Sequence, residues 1–90
     1  MEVKVPIDNY VVIRVLERLR GYYIRAQIDN IEAQDSTYVV TGRYRRTGLF
    51  GFAIMEEGTF ELEFSLEAGR PILRRAKVHV ATDEEVHVNA

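Results

Sequence analysis

The residues best equipped for chemistry are arginines and glutamates that alternate along the second half of the chain. Gly42-Arg43-Tyr44-Arg45-Arg46 and Arg70-Pro71-Ile72-Leu73-Arg74-Arg75-Ala76-Lys77 are basic. Between them lie Glu56, Glu57, Glu61, Glu63 and Glu67. On extended strands, Arg43, Arg45, Arg75 and Lys77 would share one sheet face. With Tyr38 or Tyr44 nearby, they would form a platform for an anionic or single-stranded ligand. The glutamates argue the other way, because Glu61 and Glu63 fall where they would neutralise that face. The net charge of −2 also argues against nonspecific nucleic-acid binding driven by bulk charge, which leaves local patches as the route.

Catalytic constellations are sparse. Glu61 and Glu63 would sit roughly 7 Å apart on one strand face at about 3.3 Å per residue. That separation suits paired carboxylates, yet they face cations on an open sheet rather than lining a pocket. Ser36 and Ser65 are the two serines, and neither lies in a nucleophile motif. His79 and His87 are the two histidines, and with Asp83, Glu84 and Glu85 they match no metal-ligand spacing. His79 is expected to decorate the outer face. The absence of cysteine removes thiolate nucleophiles, cysteine metal sites and disulfides together. We therefore expect no catalytic residues, no metal and no cofactor. Arg74 is anomalous: strand parity puts it on the apolar face opposite Phe64, where a charge needs a partner or a route to solvent.

A 47% hydrophobic and 29% charged chain of 90 residues is expected to form one globular domain with a thin core. The abundance of Arg, Glu, Val, Ile and Tyr leans toward a thermophile-like composition. The start, Met1-Glu2-Val3-Lys4-Val5-Pro6, carries an acid and lacks a long apolar run, which fits a cytoplasmic protein without a membrane span.

Residues 9–20 are expected to be helical. Asp8 would cap the helix, Ile7 and Val12 would staple across the cap, and Gly21 would end it. Val12, Val15, Leu16 and Leu19 recur on one helical face. Strands follow at about 22–33, 37–45, 49–55, 59–66 and 72–81, with turns at Gln34-Asp35-Ser36 and Glu56-Glu57-Gly58, and a frayed acidic tail at 82–90. Phe60, Leu62, Phe64 and Leu66 alternate with polar residues, so 59–81 reads as a hairpin. A three-residue loop at 68–70 would pair Glu67 with Pro71, Glu63 with Arg75, Glu61 with Lys77, Leu62 with Ala76 and Phe60 with Val78.

The expected fold is α+β: an N-terminal helix packed on a curved four- or five-stranded antiparallel meander. In element order this resembles the cystatin-like helix-on-sheet superfold. Tyr38-Val39-Val40-Thr41-Gly42 echoes part of the cystatin Gln-Val-Val-x-Gly loop, but inside a predicted strand, and the chain has no tryptophan for the second cystatin loop. Protease inhibition does not carry over.

Gly48-Leu49-Phe50-Gly51-Phe52-Ala53-Ile54-Met55 is apolar at nearly every position. With Phe50, Phe52 and Ile54 filling the core, Val39, Leu49, Ala53 and Met55 would remain on the outer face as a contact surface for a second copy or a partner. Sequence alone thus points first to a non-catalytic interaction or accessory domain that homodimerises through its sheet. Anion or nucleic-acid binding through Arg43, Arg45, Arg75 and Lys77 is the alternative. A small ligand-binding or catalytic member of the helix-on-sheet superfold is a third reading, and it needs a cavity between helix and sheet.

Overall fold

The helix begins where a side chain replaces a missing backbone partner. In the computed structural model, which describes residues 7–48, 53–81 and, for the backbone, 84–89, α1 spans Asn9–Arg20. Asp8 accepts a 3.0 Å hydrogen bond from the Val11 amide, satisfying a donor that the first turn leaves unpaired. Ile7 and Val12 are both buried across this cap, as a hydrophobic staple requires. At the other end the Gly21 amide donates to the Glu17 carbonyl at 3.0 Å. Val12 and Leu16 are buried, and Val11, Val15 and Leu19 pack around them.

Among the described residues five strands follow in chain order and pair in that same order, each antiparallel to the next. They are β1 (Ile24–Gln34), β2 (Thr37–Thr47), β3 (Ile54–Glu67), β4 (Arg70–Val80) and β5 (Glu84–Asn89). The architecture is the expected α+β meander with a helix on one face. Two of its segments differ from expectation. Glu56-Glu57-Gly58 is no turn but part of one continuous 14-residue strand, β3. Residues 84–89 are not a frayed tail: they pair with 75–80 as a fifth strand. Residues 49–52 of the segment 49–55, Phe50 and Phe52 among them, lie outside the described residues. Ile54, expected in the core, is 52% exposed at the start of β3.

All the buried strand residues face the helix. Ile24, Val40, Tyr44, Phe60, Leu62, Phe64, Ala76, Val78 and Val80 join Ile7, Val12 and Leu16 in one core. Two glycines let the central strands approach under this core. Gly42 lies directly opposite Phe60, and Gly58 directly opposite Tyr44. A Cβ on Gly42 would meet the Gln27 carbonyl oxygen at 2.0 Å and the Phe60 ring at 2.7 Å. One on Gly58 would meet the His79 carbonyl oxygen at 2.3 Å and the Tyr44 ring at 2.7 Å. Each aromatic ring therefore covers the glycine across from it, a pairing that restores the packing a strand glycine lacks.

Single-residue insertions interrupt the ladders at Asp29 in β1, at Met55 in β3 and at Arg74 in β4. The last one corrects the expected hairpin. The turn is two residues long, with Glu67 opposite Arg70 and Leu66 opposite Pro71. Ala68 and Gly69 both have left-handed backbone, φ 51° and 78°, as a primed two-residue turn needs. Arg74 then bulges out, so Phe64 faces Leu73 instead of Arg74. The shorter turn and the inserted residue offset each other. Glu63–Arg75, Leu62–Ala76, Glu61–Lys77 and Phe60–Val78 consequently pair as the sequence pattern predicts. Arg74 is exposed and donates to Ser65 Oγ and Glu67 Oε1, both at 2.7 Å.

Two stability effects follow from this backbone. Ala68 occupies a conformation that costs an L-residue with a Cβ about 1 kcal/mol, and Asn tolerates it better. Ala68→Asn should therefore raise the midpoint of thermal unfolding by a few degrees, as measured by circular dichroism. Gly42→Ala should destabilise by about 2–4 kcal/mol, because backbone and an aromatic ring must both move. Urea denaturation measures that loss directly.

Candidate functional site

One end of the sheet gathers the C-terminus of α1, the start of β1, the end of β2 and the start of β3. On the helix side of this end sits a polar cluster. Arg20 Nε donates to Glu56 Oε2 at 2.8 Å, and Arg20 Nη2 donates to Oε1 at 2.6 Å. The Tyr44 hydroxyl donates to Glu56 Oε2 at 2.6 Å. Arg46, directly across the ladder from Glu56, brings Nη2 to 3.8 Å of Oε1, close enough for charge attraction but too far for a hydrogen bond. The Glu56 side chain is only 8% exposed. Its placement follows from strand parity: counting back from Phe60 and Gly58, Glu56 falls on the inner face, while Glu57 turns outward to Arg45.

This geometry fixes two protonation states. The Arg20 hydrogen bonds hold the Glu56 carboxyl down at about 2, against the opposing effect of burial, and the Tyr44 hydroxyl and Arg46 charge add to the lowering. Burial, followed by the bond to Glu56, pushes the Tyr44 hydroxyl well above its ordinary value. Glu56 thus stays ionised and Tyr44 stays protonated across the physiological range. A general acid or base needs the reverse, a group poised near neutrality. The cluster is a clamp that ties the last turn of α1 to the sheet, and sequence reasoning missed it because Glu56 looked like a turn residue.

The four expected anion-binding residues do share the outer face, all exposed. The structure also supplies their neighbours. Arg43 makes a two-pronged contact with Asp29 at 3.2 and 3.3 Å. Arg45 lies 3.6 Å from Glu57. Arg75 and Lys77 stand directly across from Glu63 and Glu61. One shallow depression on this face is lined in part by Arg25, Gln27, Arg43, Arg45 and Glu57. Arg25 stands opposite Arg45 in the ladder, a like-charge pair that the monomer leaves facing itself.

Of the four expected interface residues, the three that are described, Val39, Ala53 and Met55, are not all brought together. Val39 is half-buried on the outer face between Glu32 and Glu63. Ala53 and Met55 are exposed at the opposite end of the sheet, Met55 at 59%. That is about eight residues away along the strand, roughly 26 Å at ~3.3 Å per residue. Leu49 lies outside the described residues. Exposed apolar groups do gather at the Met55 end, where Tyr22, Tyr23 and Ile54 are also exposed. The Tyr23 carbonyl accepts from the Thr47 amide at 3.0 Å, and Thr47 pairs with Ile54, so the group is contiguous.

A further unpartnered feature among the described residues is backbone. β1 is the first strand of the sheet, and among the described residues nothing pairs with its outer edge. Its helix-side residues Ala26, Ile28 and Ile31 are half-buried there. No known protein family, curated protein or solved structure matches this chain. No helix among the described residues is long and apolar enough to cross a membrane.

The clamp has a pH signature. An unfolded glutamate titrates near 4.5. Glu56 is held below that in the fold, so it stabilises the protein fully above this value and progressively less as pH falls toward 2. Glu56→Gln should cost about 2–3 kcal/mol at pH 7, because it leaves two arginines beside a neutral group. Wild type should lose about 3 kcal/mol more than Glu56→Gln between pH 5 and pH 2. Denaturant titrations at a series of pH values give both numbers.

Proposed function

We propose that this is a small non-catalytic interaction domain that self-associates through its sheet. The observation that carries the proposal is the edge of β1, eleven residues long, with half-buried apolar side chains beside backbone groups that no described residue pairs. Such an edge is a template for another strand. Two further observations favour a binding role over a catalytic one. Phe64, Leu16, Leu62, Val12, Val40 and Val78 fill the space between helix and sheet, which leaves little room there for a ligand. The buried Glu56–Tyr44 pair is locked in protonation states unsuited to proton transfer.

Anion or nucleic-acid binding through Arg43, Arg45, Arg75 and Lys77 is a second reading. Arg25 favours it, as a further cation beside Arg43 and Arg45. The acids facing these cations weigh against it. A salt-sensitive gel shift with single-stranded nucleic acid would support it.

Light scattering coupled to gel filtration tests the leading proposal. The expected particle has twice the 10.4 kDa chain mass. A monomer at the highest soluble concentration overturns it.

A further inference from the structure

We infer that the contact is a two-fold, antiparallel pairing of β1 with β1 of a second copy, in the one register that sets Arg25 against Glu32. This inference rests on the self-association proposed above and specifies where it occurs.

The hydrogen-bond phase of β1 comes first. The Thr47 amide donates to the Tyr23 carbonyl, so Tyr23 turns its backbone groups toward β2. Alternate residues do the opposite, and Ile24, Ala26 and Ile28 present theirs to the open edge. The insertion at Asp29 shifts the phase by one, so beyond it Ile31 and Ala33 face outward. These five residues also carry the side chains on the helix face, while Arg25, Gln27, Asn30, Glu32 and Gln34 lie on the outer face.

An antiparallel partner must match outward-facing residues with outward-facing residues, and each sheet face with the same face. Without the insertion, a strand paired with its own copy would meet both demands by centring the two-fold axis on a residue. Across the insertion, the axis must fall between two residues. Centred between Ile28 and Asp29, the pairing overlaps nearly the full strand. It joins Ile24 to Ala33 and Ala26 to Ile31 on the helix face. It joins Arg25 to Glu32 and Gln27 to Asn30 on the outer face. These four pairings set apolar against apolar and Arg25 against an acid; at the axis the inserted Asp29 of each copy lies beside Ile28 of the other, where the two insertions interrupt the ladder. Moving the axis by one residue in either direction shortens the overlap and puts Arg25 opposite Asn30 or Gln34.

The insertion that would twist a foreign strand away from this edge occurs at the same place in both copies. It therefore selects a second copy of this chain as the partner. The pairing also sets Arg25 directly across from an acid, where within its own chain it stands across from Arg45.

Charge exchange tests the register. Arg25→Glu and Glu32→Arg, each alone, set like charges together twice across the two-fold axis. Each should weaken the dimer by about tenfold or more at low salt. Mixing the two single variants, or combining both changes in one chain, restores opposite charges and should recover wild-type affinity. Arg25→Glu also places an acid opposite Arg45 within its own chain, so its fold is not at risk. Ala26→Pro removes an outward amide, which an edge strand tolerates without loss of the β1–β2 ladder, and should give a folded monomer. Sedimentation equilibrium reads all of these. A wild-type dimer unaffected by Ala26→Pro and by both charge variants overturns the inference while leaving self-association standing. A dimer weakened by the single changes but not recovered by mixing or by the double change overturns the register. A wild-type monomer overturns both proposals.

Discussion

Side chains on an antiparallel strand alternate between two faces, and in this domain one of those faces supplies the strands' share of the core. Any residue inserted into one strand but not its neighbour exchanges the faces of everything beyond it. Among the described residues three such insertions, at Asp29, Met55 and Arg74, decide which residues are buried, which are solvated and what the sheet offers at the β1 edge. At Arg74 the insertion removes a charge from beneath the helix and sets it on Ser65 and Glu67. At Met55 it lies beside the ladder pair that carries Glu56 and Arg46. At Asp29 it resets the hydrogen-bonding phase of the edge strand.

Helix and sheet meet through two kinds of contact. Burial of Val12, Leu16, Leu62 and Phe64 supplies the apolar part. The Arg20–Glu56 pair, braced by Tyr44, fixes the end of the helix over the sheet. The geometry is favourable for such a pair, with two parallel hydrogen bonds and a third donor on the same carboxylate. Tyr44 links both contacts, since its ring covers Gly58 while its hydroxyl reaches Glu56. The outer face, by contrast, is a mosaic of opposed charges. Those contribute little to stability individually but disfavour misaligned strands.

How much of this was legible in the sequence depended on how far each signal reached. The helix was, because Asp8, Ile7, Val12 and Gly21 act within one or two turns. The pairing of Phe60, Leu62, Glu61 and Glu63 with β4 was, because both strands alternate strongly and a slip would expose every apolar residue. The insertions were not: Asp29 and Arg74 are ordinary strand-edge residues, and nothing local marks a residue as supernumerary. Arg74's apparent place in the core was the symptom, and it marked a bulge. Glu56-Glu57-Gly58 reads as a turn by composition, yet Gly58 is there because Tyr44 needs the space. The repeated glycine-x-aromatic spacing in Gly42-Arg43-Tyr44 and Gly58-Thr59-Phe60 was the available signal that these segments pair. Val39 and Met55, expected on one contact surface, lie at opposite ends of the sheet because a strand carries residues apart at roughly 3.3 Å each.

The proposed dimer requires the outward backbone of β1 to be hydrogen-bonded to a second copy. Residue-resolved hydrogen exchange across a concentration series tests it most directly. The amides of Ala26 and Ile31 should become slow to exchange as concentration rises, while their inward-facing neighbours Arg25, Gln27 and Glu32 are protected throughout. Fast exchange at Ala26 and Ile31 at every concentration would contradict it.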